Sequence, residues 1–306
     1  MTSIQELDLT NIHVLDGGMA TELEKLGFDL SGPLWSARVL REQPEMIAAV
    51  HDGYLAVGAD CILTASYQVS AEAYAEIGLS AEDAATSLRE SVRLAEKARE
   101  RKYQQSPRKI LIAASLGPYG AALHNGAEYH GNYDLSFGQL VAFHACRLAV
   151  LAETNADLIA FETVPSLEEA RAIVAALGHH REIAAWVSFT CRDEHRVAHG
   201  ETISECASVL DSVPQVVAIG INCTAPAFVT ALIRELKAAT TKPIVVYPNS
   251  GEVWDARTRS WSGKADPASF GALAEEWRQA GAQIIGGCCR TGPEHVASIA
   301  ALIPSP

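Results

Sequence analysis

Three cysteines stand where their thiols could act together. Cys223 closes the segment Gly220-Ile221-Asn222-Cys223, and Cys288 and Cys289 close Gly286-Gly287-Cys288-Cys289-Arg290. Adjacent cysteines inside a regular strand would face opposite sides of the sheet. At a strand end, the preceding Gly-Gly lets the backbone turn so that both sulfurs converge. Three thiolates with no fourth protein ligand suit zinc in a catalytic site, because a structural site would be closed. Two other readings stay open: small buried hydrophobes, the ordinary behaviour of free cysteine, and a vicinal disulfide or redox-sensing pair. Cys61, Cys146, Cys191 and Cys206 lack a comparable arrangement and read as packing or surface residues.

Carboxylates occupy similar positions. Asp16 precedes Gly17-Gly18, and Glu162 sits in Phe161-Glu162-Thr163. Either could neutralise a substrate ammonium through a charge-assisted hydrogen bond, or cap a helix or pair with a neighbouring loop. Tyr67, Asn222 and Asn249 also fall at strand ends, where packing or a turn is the default role. His124 and His130 lie in a long loop and read as exposed; His179 and His180 lie at the opposite end and read as solvated.

The elements that must position these residues follow from the apolar pattern. Short apolar runs occur at residues 13–18, 61–67, 110–117, 158–164, 183–189, 216–223, 243–249 and 283–288. Each is mostly continuous and several are β-branched, as parallel strands buried on both faces require. Helical stretches separate them. Residues 135–156 carry Leu140, Phe143, Leu148 and Leu151 near helical spacing. Residues 166–177 open with Ser166 and Glu169 at a capping-box interval. Residues 226–239 and 267–280 each begin with a proline, as does the stretch after Pro293, where the missing N–H costs nothing.

Eight such alternations imply a parallel sheet with crossover helices, and eight units fit a closed barrel. The competing doubly wound open sheet would carry a G-x-G-x-x-G turn, which Leu15-Asp16-Gly17-Gly18-Met19-Ala20 does not supply. The expectation is therefore an α/β chain forming a single (β/α)8 TIM-barrel domain over residues 1–306. Residues 27–41 read as an enlarged first βα loop and 118–136 as a long third one, both on the catalytic face.

Composition narrows the partners. The 306 residues carry 24 basic and 37 acidic side chains, a net charge of −13, which argues against nucleic acid or an anionic membrane. No apolar run approaches the roughly 18 residues of a membrane span. The start, MTSIQELDL, lacks a basic region followed by an apolar stretch, so no secretory signal is read there. Seven cysteines, an odd number, point to reduced thiols and a cytoplasmic setting.

On these residues the chain resembles the homocysteine S-methyltransferase family over almost its whole length. The resemblance runs from Leu15-Asp16-Gly17-Gly18 through Phe161-Glu162-Thr163 and Gly220-Ile221-Asn222-Cys223 to Gly286-Gly287-Cys288-Cys289. It implies a barrel holding Zn2+ through Cys223, Cys288 and Cys289. By the same resemblance Asp16 and Glu162 would hold the homocysteine amino group, and Asn222 would shape the metal site. Residues 119–123 and 128–131 look similar to short members that use S-methylmethionine or S-adenosylmethionine as methyl donor. The C-terminal arm of betaine-using relatives and the folate and cobalamin modules of methionine synthase are not seen, so a monomer is favoured.

The implied chemistry is methyl transfer from a sulfonium to L-homocysteine, giving L-methionine. A free thiol is mostly protonated at neutral pH; zinc removes that proton, so no separate general base is required. Trp35, Tyr67 and Tyr129 are candidate aromatic faces for the sulfonium. The alternatives are a methyltransferase for another thiol or selenol such as selenocysteine, and a noncatalytic zinc or redox-sensing protein.

Overall fold

Seven of the apolar runs become strands of one parallel sheet. These are β1 (Cys61–Leu63), β2 (Leu111–Leu116), β3 (Leu158–Val164), β4 (Ala185–Phe189), β5 (Val216–Asn222), β6 (Ile244–Tyr247) and, after an antiparallel hairpin of β7 (Val253–Asp255) and β8 (Ser260–Ser262), β9 (Ile284–Ile285). The sheet order is β1-β2-β3-β4-β5-β6-β9. The computed structural model describes residue 1 and residues 4–30, 34, 36–255, 260–262 and 266–303.

The two edges of this sheet are joined by residues 13–16. Val14 bridges Ile285 and Leu15 bridges Cys61, both in parallel. Leu15 N donates to Ile285 O at 2.9 Å, Ile285 N to His13 O at 2.8 Å, and Asp16 N to Cys61 O at 3.1 Å. The first apolar run is thus the eighth stave, too short for regular strand structure yet bonded on both sides. Closure removes the exposed edges an open sheet would have.

Period-two alternation sorts the strand residues into two layers. Leu111 and Ala113 of β2, Leu158 and Ala160 of β3, Trp186 of β4, Ala218 of β5 and Tyr247 of β6 fill the barrel interior. Ile112, Ile159, Phe161, Val187, Ile219 and Val246 face outward into the layer shared with the helices. The large rings of Trp186 and Tyr247 are fully buried and occupy space left by the small alanines around them. Burying a side chain of that class stabilises by roughly 1.5–3 kcal/mol or more. Toward the C-terminal ends of the strands the inner positions turn polar: Ser115, Glu162, Ser188 and Asn222 follow the apolar layer at two-residue intervals.

Helices begin where prolines and caps predict. Pro226–Ala239, Pro267–Ala280 and Pro293–Ala300 all start on proline, and the 135–156 stretch forms Phe137–Ala152. Other expectations need correction. The hairpin of β7 and β8 was not anticipated between the seventh stave and the Pro267 helix. The 27–41 stretch is not all loop, since Ser36–Glu42 is helical, and the third loop contains short helices at Tyr119–Ala122 and Ala127–Tyr129.

The capping box at Ser166 is half formed. Ser166 Oγ accepts from Glu169 N at 3.1 Å. The Glu169 carboxylate instead accepts from Tyr119 N at 2.7 Å and meets His144 Nε2 at 3.0 Å. A fully buried carboxylate finds stronger compensation in those partners than in the helix terminus.

Candidate metal centre and substrate pocket

The three sulfurs picked out by position do converge. Cys223 follows β5, Cys288 and Cys289 follow β9, and their Sγ atoms all lie within 4.8 Å of one another. The Cys223 and Cys289 sulfurs are 3.5 Å apart. No other such cluster of potential metal ligands occurs among the described residues. Three soft donors brought together at the C-terminal ends of the strands fit a thiophilic divalent ion.

The backbone achieves this differently from the sequence expectation. Neither Gly286 nor Gly287 adopts a left-handed conformation. Both are needed for room: a Cβ would sit 2.6 Å from Asp16 O at Gly286 and 2.3 Å from Thr291 Oγ1 at Gly287. The left-handed turn falls at Arg290, φ 66°, just after the pair.

Cys223 itself is left-handed, φ 49°, as is Thr163 beside Glu162, φ 59°. Such non-glycine geometry costs of order 1–3 kcal/mol and persists only where its surroundings enforce it. Asn222 supplies much of that enforcement. Its Oδ1 accepts from Thr163 N at 2.7 Å and from Ser188 Oγ at 3.0 Å, while its Nδ2 donates to Thr163 Oγ1 at 2.8 Å. Asn222 is fully buried, so it ties the ends of β3 and β4 to that of β5.

Electrostatics follow the geometry. Hydrogen bonds from the Cys288 and Cys289 thiols, and from Tyr129, hold the Cys223 thiol well below its ordinary range. Cys288 and Cys289 are pushed up, chiefly because each thiol hydrogen-bonds to Cys223, with burial and the charge of Cys223 adding to it. A cation among the three would favour the thiolate form of each.

Asp16 and Glu162 flank this centre. Asp16 is buried and its Oδ2 accepts from Leu63 N at 2.8 Å, but its Oδ1 has no partner. Burial pushes its carboxyl well above the usual range, and the charge of Glu162 adds to that. Glu162 accepts from Ser115 Oγ, and burial, with the charge of Cys223, raises it to about 7. Two buried carboxylates that repel one another, one with an orphaned oxygen, mark a place where a cation would be stabilised.

The aromatic candidates divide. Tyr129 Oη lies 3.4 Å from Cys223 Sγ. Tyr67 is half-buried, and its hydroxyl is raised by burial and by the charges of Glu128 and Cys223. Trp35 lies outside the described residues. Asn249 is half-buried with its Oδ1 unpartnered. His130 and His179 are exposed, whereas His124, expected at the surface, is half-buried. Cys61, Cys191 and Cys206 are buried and Cys146 exposed, all outside the sulfur cluster.

Sequence reasoning missed Ser115, Tyr247 and Glu128. A serine two residues before the loop in an apolar parallel strand is an available signal for Ser115. Tyr247, whose hydroxyl meets Ser188 Oγ and Trp186 Nε1, was hidden inside a seventh run extended to Asn249. Glu128 is buried with Oε2 unpartnered and is raised to about 7 by burial and by the charge of Cys223.

Known proteins match this arrangement throughout. The family model described as homocysteine S-methyltransferase matches residues 13–303. The chain is 47% identical to Homocysteine S-methyltransferase YbgG of Bacillus subtilis, covering 98% of each. It is 43% identical to Homocysteine S-methyltransferase of Escherichia coli, covering 96% of each. The metallated form of the homocysteine methyltransferase MmuM from Escherichia coli superposes with a TM-score of 0.87 at 41% identity, covering 96% of both chains. With the barrel, the strand-end cysteines and this full-length likeness agreeing, the chain belongs to the homocysteine S-methyltransferase family.

Proposed function

We propose that this protein transfers a methyl group from a sulfonium donor, S-methylmethionine or S-adenosylmethionine, to L-homocysteine, giving L-methionine, with Zn2+ held by Cys223, Cys288 and Cys289. The observation that carries this reading is the convergence of three sulfurs within 4.8 Å beside two buried carboxylates that lack a cation. Its kinship with a protein solved in a metallated form supports metal binding. Residues 1–306 act as one homocysteine-binding barrel domain.

When bound, the zinc ion would acidify the homocysteine thiol and keep its sulfur a nucleophile at neutral pH. The chain's own residues do the rest. Asp16 Oδ1 and the Glu162 carboxylate take the homocysteine ammonium, which supplies the charge missing between them. Asn222 holds the β3 and β5 ends so that Glu162 and Cys223 keep their separation. The acidic mouth attracts a sulfonium, and Tyr67 and Tyr129 offer π faces to it, worth about 0.5–2 kcal/mol each when desolvated. Holding acceptor and donor in line supplies several kcal/mol of the barrier, on the order of 7 or more in the best intramolecular models.

No helix of the described residues is long and apolar enough to cross a membrane. Small molecules rather than nucleic acid are the partners, the working form is a monomer, and the setting is cytoplasmic. The test is metal analysis of the purified protein together with methionine formation from homocysteine and each sulfonium. Zinc near one per chain and turnover with a sulfonium bear the proposal out. A metal-free enzyme of undiminished activity contradicts it, and metal binding or a Cys288–Cys289 disulfide without methionine returns it to a sensor.

A further inference from the structure

Besides Tyr129, the third βα connection brings Glu128 to the barrel mouth. Glu128 is 9% exposed, and its Oε2 has no hydrogen-bond partner. It shares a single turn, Ala127–Tyr129, with the tyrosine whose hydroxyl lies 3.4 Å from Cys223 Sγ. That turn is tightly seated: a Cβ on Gly120 would come within 2.3 Å of Glu128 N. Its neighbour Tyr119 is tied through its backbone N–H to Glu169 at 2.7 Å. The backbone that carries the carboxylate is therefore fixed, and burial of that carboxylate without a counter-charge is costly unless a ligand supplies one.

Glu128 is also separate from the other acidic pair. Asp16 follows the first stave and Glu162 ends β3, whereas Glu128 stands on the Ala127–Tyr129 turn of the third connection, with Cys223 and Tyr67 facing both Glu128 and Glu162. The mouth thus holds two acidic subsites around one sulfur cluster. Homocysteine brings one α-ammonium. A sulfonium donor built on the same amino-acid skeleton brings a second, at the same remove from its reacting sulfur.

Resting on the reaction proposed above, we infer that Glu128 binds the α-ammonium of the methyl donor, so that the site selects sulfonium compounds that are α-amino acids over those lacking the amine. The interaction is a charge-assisted hydrogen bond to a buried carboxylate, the kind in which removing one charge weakens binding about 10- to 100-fold.

The test compares wild type with Glu128→Gln, both zinc-loaded, using S-methylmethionine and dimethylsulfonioacetate, a sulfonium without an α-ammonium. The KM for S-methylmethionine should rise about 10- to 100-fold, and its affinity measured calorimetrically without homocysteine should fall equally. The homocysteine KM, zinc content and melting temperature should hold. Activity with dimethylsulfonioacetate, poor in wild type, should be unchanged by the substitution. Equal losses with both donors, a shift in homocysteine KM instead, or no change at all would overturn the assignment. If Glu128→Gln does not fold, Glu128→Asp should raise the donor KM by a smaller factor, and an unaltered donor KM there overturns it as well. Wild-type protein forming no methionine from either sulfonium overturns the reaction itself, and this subsite with it; an active wild type paired with an indifferent variant overturns the subsite alone.

Discussion

Two buried polar clusters lie within a few residues of each other in this barrel, and they are built on opposite principles. The first, behind β2 and β3, joins Arg147, His144 and Glu169, all essentially fully buried. Arg147 Nη2 donates to Gly117 O at 2.9 Å and lies 3.1 Å from His144 Nδ1. Because a guanidinium can only donate, Nδ1 must accept. His144 is then the Nε2–H tautomer, donating to Glu169 Oε1 at 3.0 Å. Burial lowers the imidazole further, keeping it neutral between a cation and an anion. The second cluster, at the mouth, gathers three carboxylates and three sulfurs with orphaned oxygens on Asp16 and Glu128; the first also leaves Glu169 Oε2 unpartnered, but it contains its own cation, Arg147. The closed cluster anchors the third loop through Tyr119. The open one has no cation among these side chains, which is what the ammonium groups of two amino acids and a metal would supply.

Three kinds of substitution break that contrast at decreasing cost. Cys223→Ala, Cys288→Ala or Cys289→Ala should each remove bound zinc and reduce methionine formation to background, with the far-ultraviolet circular dichroism of the folded barrel retained. The removed groups belong to the open cluster, so the fold does not depend on them. Glu169→Ala attacks the closed cluster and should do the reverse. Losing the carboxylate leaves Arg147 without its counter-charge, an expected loss of about 3–5 kcal/mol in denaturant unfolding. Protein that remains folded should keep its homocysteine KM.

Glu162→Gln returns to the open cluster with a milder effect. The homocysteine KM should rise about 10- to 100-fold, with zinc content and donor KM preserved. The same variant tests the sign of the stored repulsion. In metal-free protein the folded state raises Glu162 from 4.5 to about 7. It therefore binds that proton more tightly than the unfolded chain does. The destabilisation is absent below the unfolded value, grows as pH rises through this interval and is complete above about pH 7. Thermal melting without metal should show Glu162→Gln more stable than wild type near pH 8 and no different near pH 4. Equal melting temperatures at both pH values would remove the burial penalty from the account.

How much of this was legible beforehand follows the same division. The barrel was readable because strands buried on both faces must be mostly apolar, and β2 through β6 are, apart from the polar residues toward their C-terminal ends. Its first stave was readable as a run although Val14 and Leu15 form only isolated bridges. The sulfur cluster was readable because cysteines at two strand ends must share one mouth in any barrel. What stayed hidden depends on stagger between strands and on loop packing. The β2–β3 register, which pairs Ala113 with Leu158, decides that Ser115 reaches Glu162. Glu169 carries a capping signal, yet its carboxylate is claimed by a loop nitrogen fifty residues away in sequence. Gly286 and Gly287 were correctly marked but for the wrong property, since the chain there needs their missing Cβ and not a positive φ. Glu128 lay inside a loop already singled out, and only its burial without a partner distinguishes it.

The central claim is that Cys223, Cys288 and Cys289 jointly hold one zinc ion whose remaining position the acceptor thiol fills. X-ray absorption at the zinc edge, recorded with and without homocysteine, addresses it most directly. A sulfur-rich shell that gains a further sulfur on adding homocysteine, and that is lost in Cys223→Ala, is the predicted result. A shell of nitrogen and oxygen, or one indifferent to both homocysteine and Cys223→Ala, would contradict it.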